Sequence, residues 1–140
     1  MSFRYVRCTF FIGVLLLVGC RGGKPLGQVK GTVTYRGKPV PHGAVLFVPE
    51  VTGTAATGAI QADGSYTLTT AGAGDGALIG KHKVMINAME QPKGLLPEDR
   101  NPTPPPIVPV KYTSLATTDL TAEVKAGENI IDFKLVDDGK

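Results

Sequence analysis

The side chains able to do chemistry in this chain are two cysteines, two histidines, a scatter of carboxylates and many hydroxyls. Cys20 follows Leu17-Val18-Gly19 at the end of an apolar run, and Cys8 lies within the first twenty residues. His42 stands between Pro41 and Gly43, and His82 between Lys81 and Lys83. A zinc site needs three or four convergent ligands, which two histidines and no spare thiol do not supply. His42 is therefore expected to be a turn residue and His82 to face solvent. Asp63, Asp75, Glu98, Asp99, Asp119, Asp137 and Asp138 fall in or near loops, where carboxylates and carbonyls suit a hard cation, but no D-x-D-x-D-G spacing occurs. Ser65 and Ser114 lack a G-x-S-x-G context, and strand threonines follow from β-propensity. No catalytic, cofactor-binding or metal-ligating set is expected. An exported small hydrolase would have to work through His42 or His82.

The N-terminus has the layout of an address. Arg4 and Arg7 precede the nine-residue apolar run 10–18 (FFIGVLLLV), too short to span a bilayer and right for a signal-peptide core. Leu17-Val18-Gly19-Cys20 resembles the bacterial lipobox. That resemblance implies cleavage after Gly19, diacylation of the Cys20 thiol and acylation of the new amino terminus. One acyl chain holds a protein marginally, whereas two or three hold it firmly. Cys8 would leave with residues 1–19 and Cys20 would carry lipid, so no disulfide is expected in the mature chain. Residues 20–27 read as lipidated Cys plus a Gly-rich tether. A bacterial cell-envelope location and a membrane partner, through the lipid, follow from this reading.

Charge adds little. Lys and Arg number 15 against 12 Asp and Glu, and without Arg4 and Arg7 the balance is 13 against 12. No basic stripe with interleaved aromatics is present, so a nucleic-acid partner is not expected.

The elements that must position any site are short strands. Residues 29–35 alternate, with Val29, Gly31, Val33 and Tyr35 on one side, and Arg36-Gly37-Lys38-Pro39 makes a turn. Residues 44–48 are apolar throughout, which predicts a strand covered on both faces. Further strands are expected over 56–62, 65–70, 81–89, 120–124 and 130–136. A two-residue Asp63-Gly64 hairpin turn joins the first two of these. The glycine-rich stretch 71–80 lacks the helix and the Lys-Ser/Thr pair of a phosphate loop, and reads as a turn. Seven short strands with frequent turn signals predict one all-β domain over 28–136. Its architecture should be a seven-stranded antiparallel β-sandwich, followed by a polar tail, 137–140.

Seven of the 11 prolines fall in 91–109. Such a loop is either a polyproline ligand for an aromatic groove or a stiffened surface crossover, and the crossover is favoured. If the loop meets a partner, Pro104, Pro105, Pro106 and the adjacent Tyr112 are the residues to carry it.

Gly31-x-Val33, Gly37-Lys38-Pro39-Val40, Gly43-Ala44-x-Leu46, Asp63-Gly64-Ser65-Tyr66-Thr67-Leu68 and Gly80-Lys81-His82-Lys83-Val84 together resemble the carboxypeptidase regulatory-like module. The resemblance implies a transthyretin-like (prealbumin-like) sandwich after the signal peptide, as in small bacterial lipoproteins carrying this module alone. It implies no activity. The zinc peptidase domain that such modules can accompany is not expected within these 140 residues, which are too few to hold it. A lipid-anchored, non-catalytic envelope module meeting a protein or a glycan is the expected function.

Overall fold

The computed structural model describes residues 24–91 and 104–137. Its longest strand, β1 (Leu26–Tyr35), organises one sheet by itself. Gly27, Val29, Gly31 and Val33 turn inward while Gln28, Lys30 and Thr32 face water, the period-two pattern of a strand with one wet side. Its ten residues extend about 30 Å at ~3.3 Å each. β1 takes in Leu26 and Gly27, the last two residues of the expected tether.

The remaining strands are β2 (Lys38–Pro39), β3 (Gly43–Pro49), β4 (Ala56–Ile60), β5 (Ser65–Thr67), β6 (Ala77–Leu78), β7 (Gly80–Asn87), β8 (Thr121–Val124), β9 (Glu128–Ile130) and β10 (Phe133–Leu135). Among the described residues one 3-10 turn, Val110–Thr113, interrupts them. Along one edge of β1 lie β6, β5 and β2, each antiparallel to it; along the other lie β9 and β10. The second sheet has the order β4-β3-β7-β8, antiparallel throughout. The two sheets form the all-β sandwich that the sequence predicts. One seam is not antiparallel, since β9 and β10 run alongside β1 in the same direction.

The core sits between the sheets. Phe47, Tyr66 and Phe133 meet with ring centroids 6.0–6.5 Å apart. Around them pack Val29, Val33, Val45, Leu68, Val84 and Ile86, all essentially without solvent contact. β3 is apolar throughout but covered on one face: Val45 and Phe47 are buried, whereas Ala44, Leu46 and Val48 are half-buried on the outer face. Among the described residues no layer lies over that side of the second sheet, so they cover β3 on one face where the sequence predicts two.

The predicted strand 130–136 is two strands, split at Ile131 and Asp132 with the register to β1 unchanged across the break, Lys30 opposite Ile130 and Val33 opposite Phe133. Ile131 still bonds Lys30 through its N–H, but its carbonyl turns toward the interior and accepts from the Tyr66 hydroxyl at 2.6 Å. The Asp132 carboxylate replaces it on β1, accepting from the Thr32 N–H at 2.8 Å and the Thr32 hydroxyl at 3.0 Å. Gly31 makes this possible, because an added Cβ there would fall 1.8 Å from the Ile131 oxygen.

Turns follow local chemistry. Arg36 and Gly37 both have positive φ, 51° and 75°, the pattern of a type I′ hairpin turn. Residues 62–64 form a three-residue loop between Gln61 and Ser65, one residue longer than the Asp-Gly pair predicts. The Asp63 carboxylate accepts from the Ser65 N–H and hydroxyl within it. In the glycine-rich stretch the Asp75 carboxylate gathers the N–H groups of Thr70, Ala71 and Gly72 at 2.6–2.9 Å. Those three donors hold its pKa below the usual carboxylate value.

Candidate binding surface

Strand polarity gives the sandwich two unlike ends. β1 enters at one end, with the 50–55 loop, β6 and the 125–127 turn. The opposite end gathers the 36–42 turn, the 61–65 loop, the exit of the proline-rich segment and the C-terminus of β10.

At that far end Arg36 is held in its left-handed conformation by what it touches. Its guanidinium bonds both carboxylate oxygens of Asp137, at 3.0 and 3.1 Å, and lies 5.1 Å from the Tyr35 ring centroid. The Tyr35 hydroxyl donates to the same carboxylate. These donors lower the Asp137 pKa, and the hydrogen bond to Asp137 raises that of Tyr35. Asp137, the first residue of the expected polar tail, thus belongs to the fold.

The proline-rich segment returns as part of the structure. Pro106 forms a bridge with Met89, flanked by Glu90 N–H to Pro105 carbonyl and Ile107 N–H to Ala88 carbonyl, both 2.9 Å. Pro106 therefore occupies the non-bonded position of an antiparallel pair, where a missing N–H costs no ladder bond. His42 sits beside this join, its Nε2 donating to the Met89 carbonyl at 2.7 Å.

Further along, Val84 N–H bonds the Leu120 carbonyl and the buried Thr118 hydroxyl bonds the Val84 carbonyl. Residues 104–120 thus cover the stretch of β7 that β8 leaves unpaired. The expected crossover is a strap packed on the core, with Val108 and Tyr112 buried beneath it.

Tyr112 is 2% exposed. Its hydroxyl donates to the Val136 carbonyl at 3.2 Å, and the Lys111 ammonium lies 4.7 Å from its ring centroid. Tyr112 therefore supports this end from within and offers no ring to a partner. Of the prolines named with it, Pro105 is exposed, and Pro104 and Pro106 are half-buried. Val110 and Val136, both more than 60% exposed, are apolar surface that the sequence reading did not single out. Val136 shares the period-two face of Asp132 and Lys134, so alternation already turns it outward, whereas Val110 opens a 3-10 turn and carries no periodic signal.

A groove of about 350 Å³ opens between β4 and β5. Thr57 and Thr69 exchange backbone hydrogen bonds, and Gln61 N–H bonds the Ser65 carbonyl. The hairpin ladder between these rungs opens at Ala59 and Thr67, because β4 joins one sheet and β5 the other. Thr57, Gln61, Ser65, Thr67 and Thr69 line the opening with hydroxyl and amide groups.

The expectation for His82 is corrected. It is 1% exposed, its ring 5.7 Å from that of Phe47. Nδ1–H donates to the Gly80 carbonyl at 3.0 Å, and Nε2 is buried without a hydrogen-bond partner. Burial lowers its pKa, with the Gly80 carbonyl and Glu50 opposing. The signal was present in the sequence, since His82 shares the period-two face of Val84, Ile86 and Ala88.

Both histidines thus bond backbone carbonyls, and Ser65 donates to Asp63. Among the described residues no group of three or more His, Cys, Asp or Glu could hold a metal ion, and no helix is long and apolar enough to cross a membrane. Cys20, Glu98, Asp99 and Asp138 lie outside the described residues. Comparisons with protein-family models, curated proteins and solved structures give no match.

Proposed function

We propose that this chain is a lipid-anchored, non-catalytic module of the bacterial envelope, of the carboxypeptidase regulatory-like type. Its far end would meet a protein partner. One observation carries the reading: Leu17-Val18-Gly19-Cys20 ends four residues before Lys24, whose ammonium is tied to the Thr52 carbonyl, and the chain enters at the end opposite its most elaborated loops. An anchor at Cys20 would leave the turn of Arg36, the strap of Pro105 and the apolar Val110 and Val136 about 30 Å away, the length of β1. Exposed apolar side chains on a rigid, cross-braced end suit a protein surface. The groove between β4 and β5 favours a second reading, a glycan, because its hydroxyl and amide lining can exchange hydrogen bonds with sugar hydroxyls.

Metabolic labelling with a fatty-acid analogue tests the anchor, with label expected on the wild type and absent from Cys20→Ser. Equal labelling of both sinks the reading. Crosslinking in cells, with Val110→Asp/Val136→Asp beside the wild type, tests the far end, and an unchanged set of crosslinked proteins removes it from the proposal.

A further inference from the structure

The end at which the chain enters carries apolar side chains that the fold does not use. Val51 is 68% exposed in the loop after β3, and Ile79 is 37% exposed between β6 and β7. The entering chain runs between them. Lys24 Nζ donates to the Thr52 carbonyl at 2.6 Å, and Ile79 N–H donates to the Pro25 carbonyl at 3.1 Å. Both side chains therefore flank the point from which residues 20–23 lead to Cys20. Lys24, Lys81 and Lys125 are exposed on the same end, interspersed with Glu50, Glu123 and Glu128, the last paired with Lys30.

Length now limits what can cover this end. Four residue steps separate Lys24 from Cys20, and an extended chain reaches roughly 3.5 Å per step, so about 14 Å at most. With Cys20 acylated, the first residue of the domain lies within that distance of the headgroups. A partner protein inserted there would have to be thinner than a single domain, whereas a bilayer is already at that distance.

We propose that this end rests on the lipid surface, with Val51 and Ile79 in the interfacial layer and Lys24, Lys81 and Lys125 at the level of the headgroups. The inference rests on the lipid-anchor reading above. The contact fixes the long axis of the sandwich away from the membrane and presents the Arg36–Asp137 end outward. A flexible tether alone would leave the domain free to tumble.

The test uses the full lipidated chain in vesicles of phosphatidylethanolamine and phosphatidylglycerol with brominated acyl chains. Cys8 leaves with the signal and Cys20 is alkylated, so Val51→Cys or Lys38→Cys takes a single thiol-reactive fluorophore. Lys38 lies in the exposed turn at the far end. Bromolipid is expected to quench the label at position 51 several-fold more than the label at position 38. Ile79→Cys gives the same comparison should Val51→Cys fail to fold. Weak, equal quenching on protein that floats with the vesicles overturns the docking and leaves the anchor standing. Strong quenching at both positions means that the domain lies on its side, and also overturns it. A blue shift at position 51 that grows with protein density, without quenching, assigns the face to a second copy and overturns the lipid assignment. Failure of the wild type to float removes the anchor reading and the docking together.

Discussion

The Tyr66 hydroxyl donates at 2.6 Å to the carbonyl of Ile131, a residue 65 positions away in the break between β9 and β10. That bond closes the interior around a carbonyl that has left its ladder, while the Asp132 carboxylate serves Thr32 in its place. Burial raises the Tyr66 pKa above the usual phenol value, which favours the protonated donor that this bond requires.

Tyr66→Phe leaves the Ile131 carbonyl buried without that donor and should cost about 1–3 kcal/mol, read as a lower urea midpoint with unchanged m. Gly31→Ala should cost more, about 3 kcal/mol or above, because its Cβ would meet the Ile131 oxygen and push β1 off the C-terminal strands. A tolerated Gly31→Ala would show that the close approach of β1 to the Ile131 carbonyl is not needed.

His82 makes stability depend on pH. Its folded-state pKa lies below the ordinary 6.5, so its contribution is complete above pH 6.5 and is lost as pH falls from there toward the folded value. His82→Leu removes that dependence and the unpartnered Nε2. At pH 8 it should differ from wild type by no more than ~1 kcal/mol, with its advantage widening between pH 6.5 and 5. Parallel stability curves for the two proteins over that range would place His82 in a hydrated site.

Tyr112 should behave as core. Tyr112→Ala is expected to cost about 3–5 kcal/mol, and Tyr112→Phe only about 0.5–1.5 kcal/mol, for its bond to Val136. Thermal unfolding of both variants separates packing from hydrogen bonding. A Tyr112→Ala protein as stable as wild type would mean that the strap does not pack on the core.

Asp75 orders a loop rather than the whole fold. In Asp75→Ala the amides of Thr70, Ala71 and Gly72 should exchange faster, while those of β3 keep their protection. In the wild type the same change should appear as pH falls through the lowered Asp75 pKa, because the protonated group no longer accepts as an anion. Equal acceleration throughout the chain would give Asp75 a global role.

Sequence alone determined the class of fold and most of the strands. Side chains on a strand alternate sides without reference to the rest of the molecule, so Val29, Val33, Val84 and Ile86 mark a core face locally. Turns were legible for the same reason, since Gly37 and Gly64 permit a positive φ that the chain needs within a few residues. Tertiary structure alone decided the rest. The parallel seam of β1 with β9 and β10 joins segments about a hundred residues apart, and no local pattern encodes strand order. Tyr112 sits in a segment with no period, so only its packing beneath the strap makes it core. Phe133 and Leu135 kept the inward side that alternation gave them, but the break in pairing before them arose from a distant hydroxyl, a distant glycine and a neighbouring carboxylate meeting at one carbonyl. That meeting is a property of three-dimensional contact, which periodicity does not record.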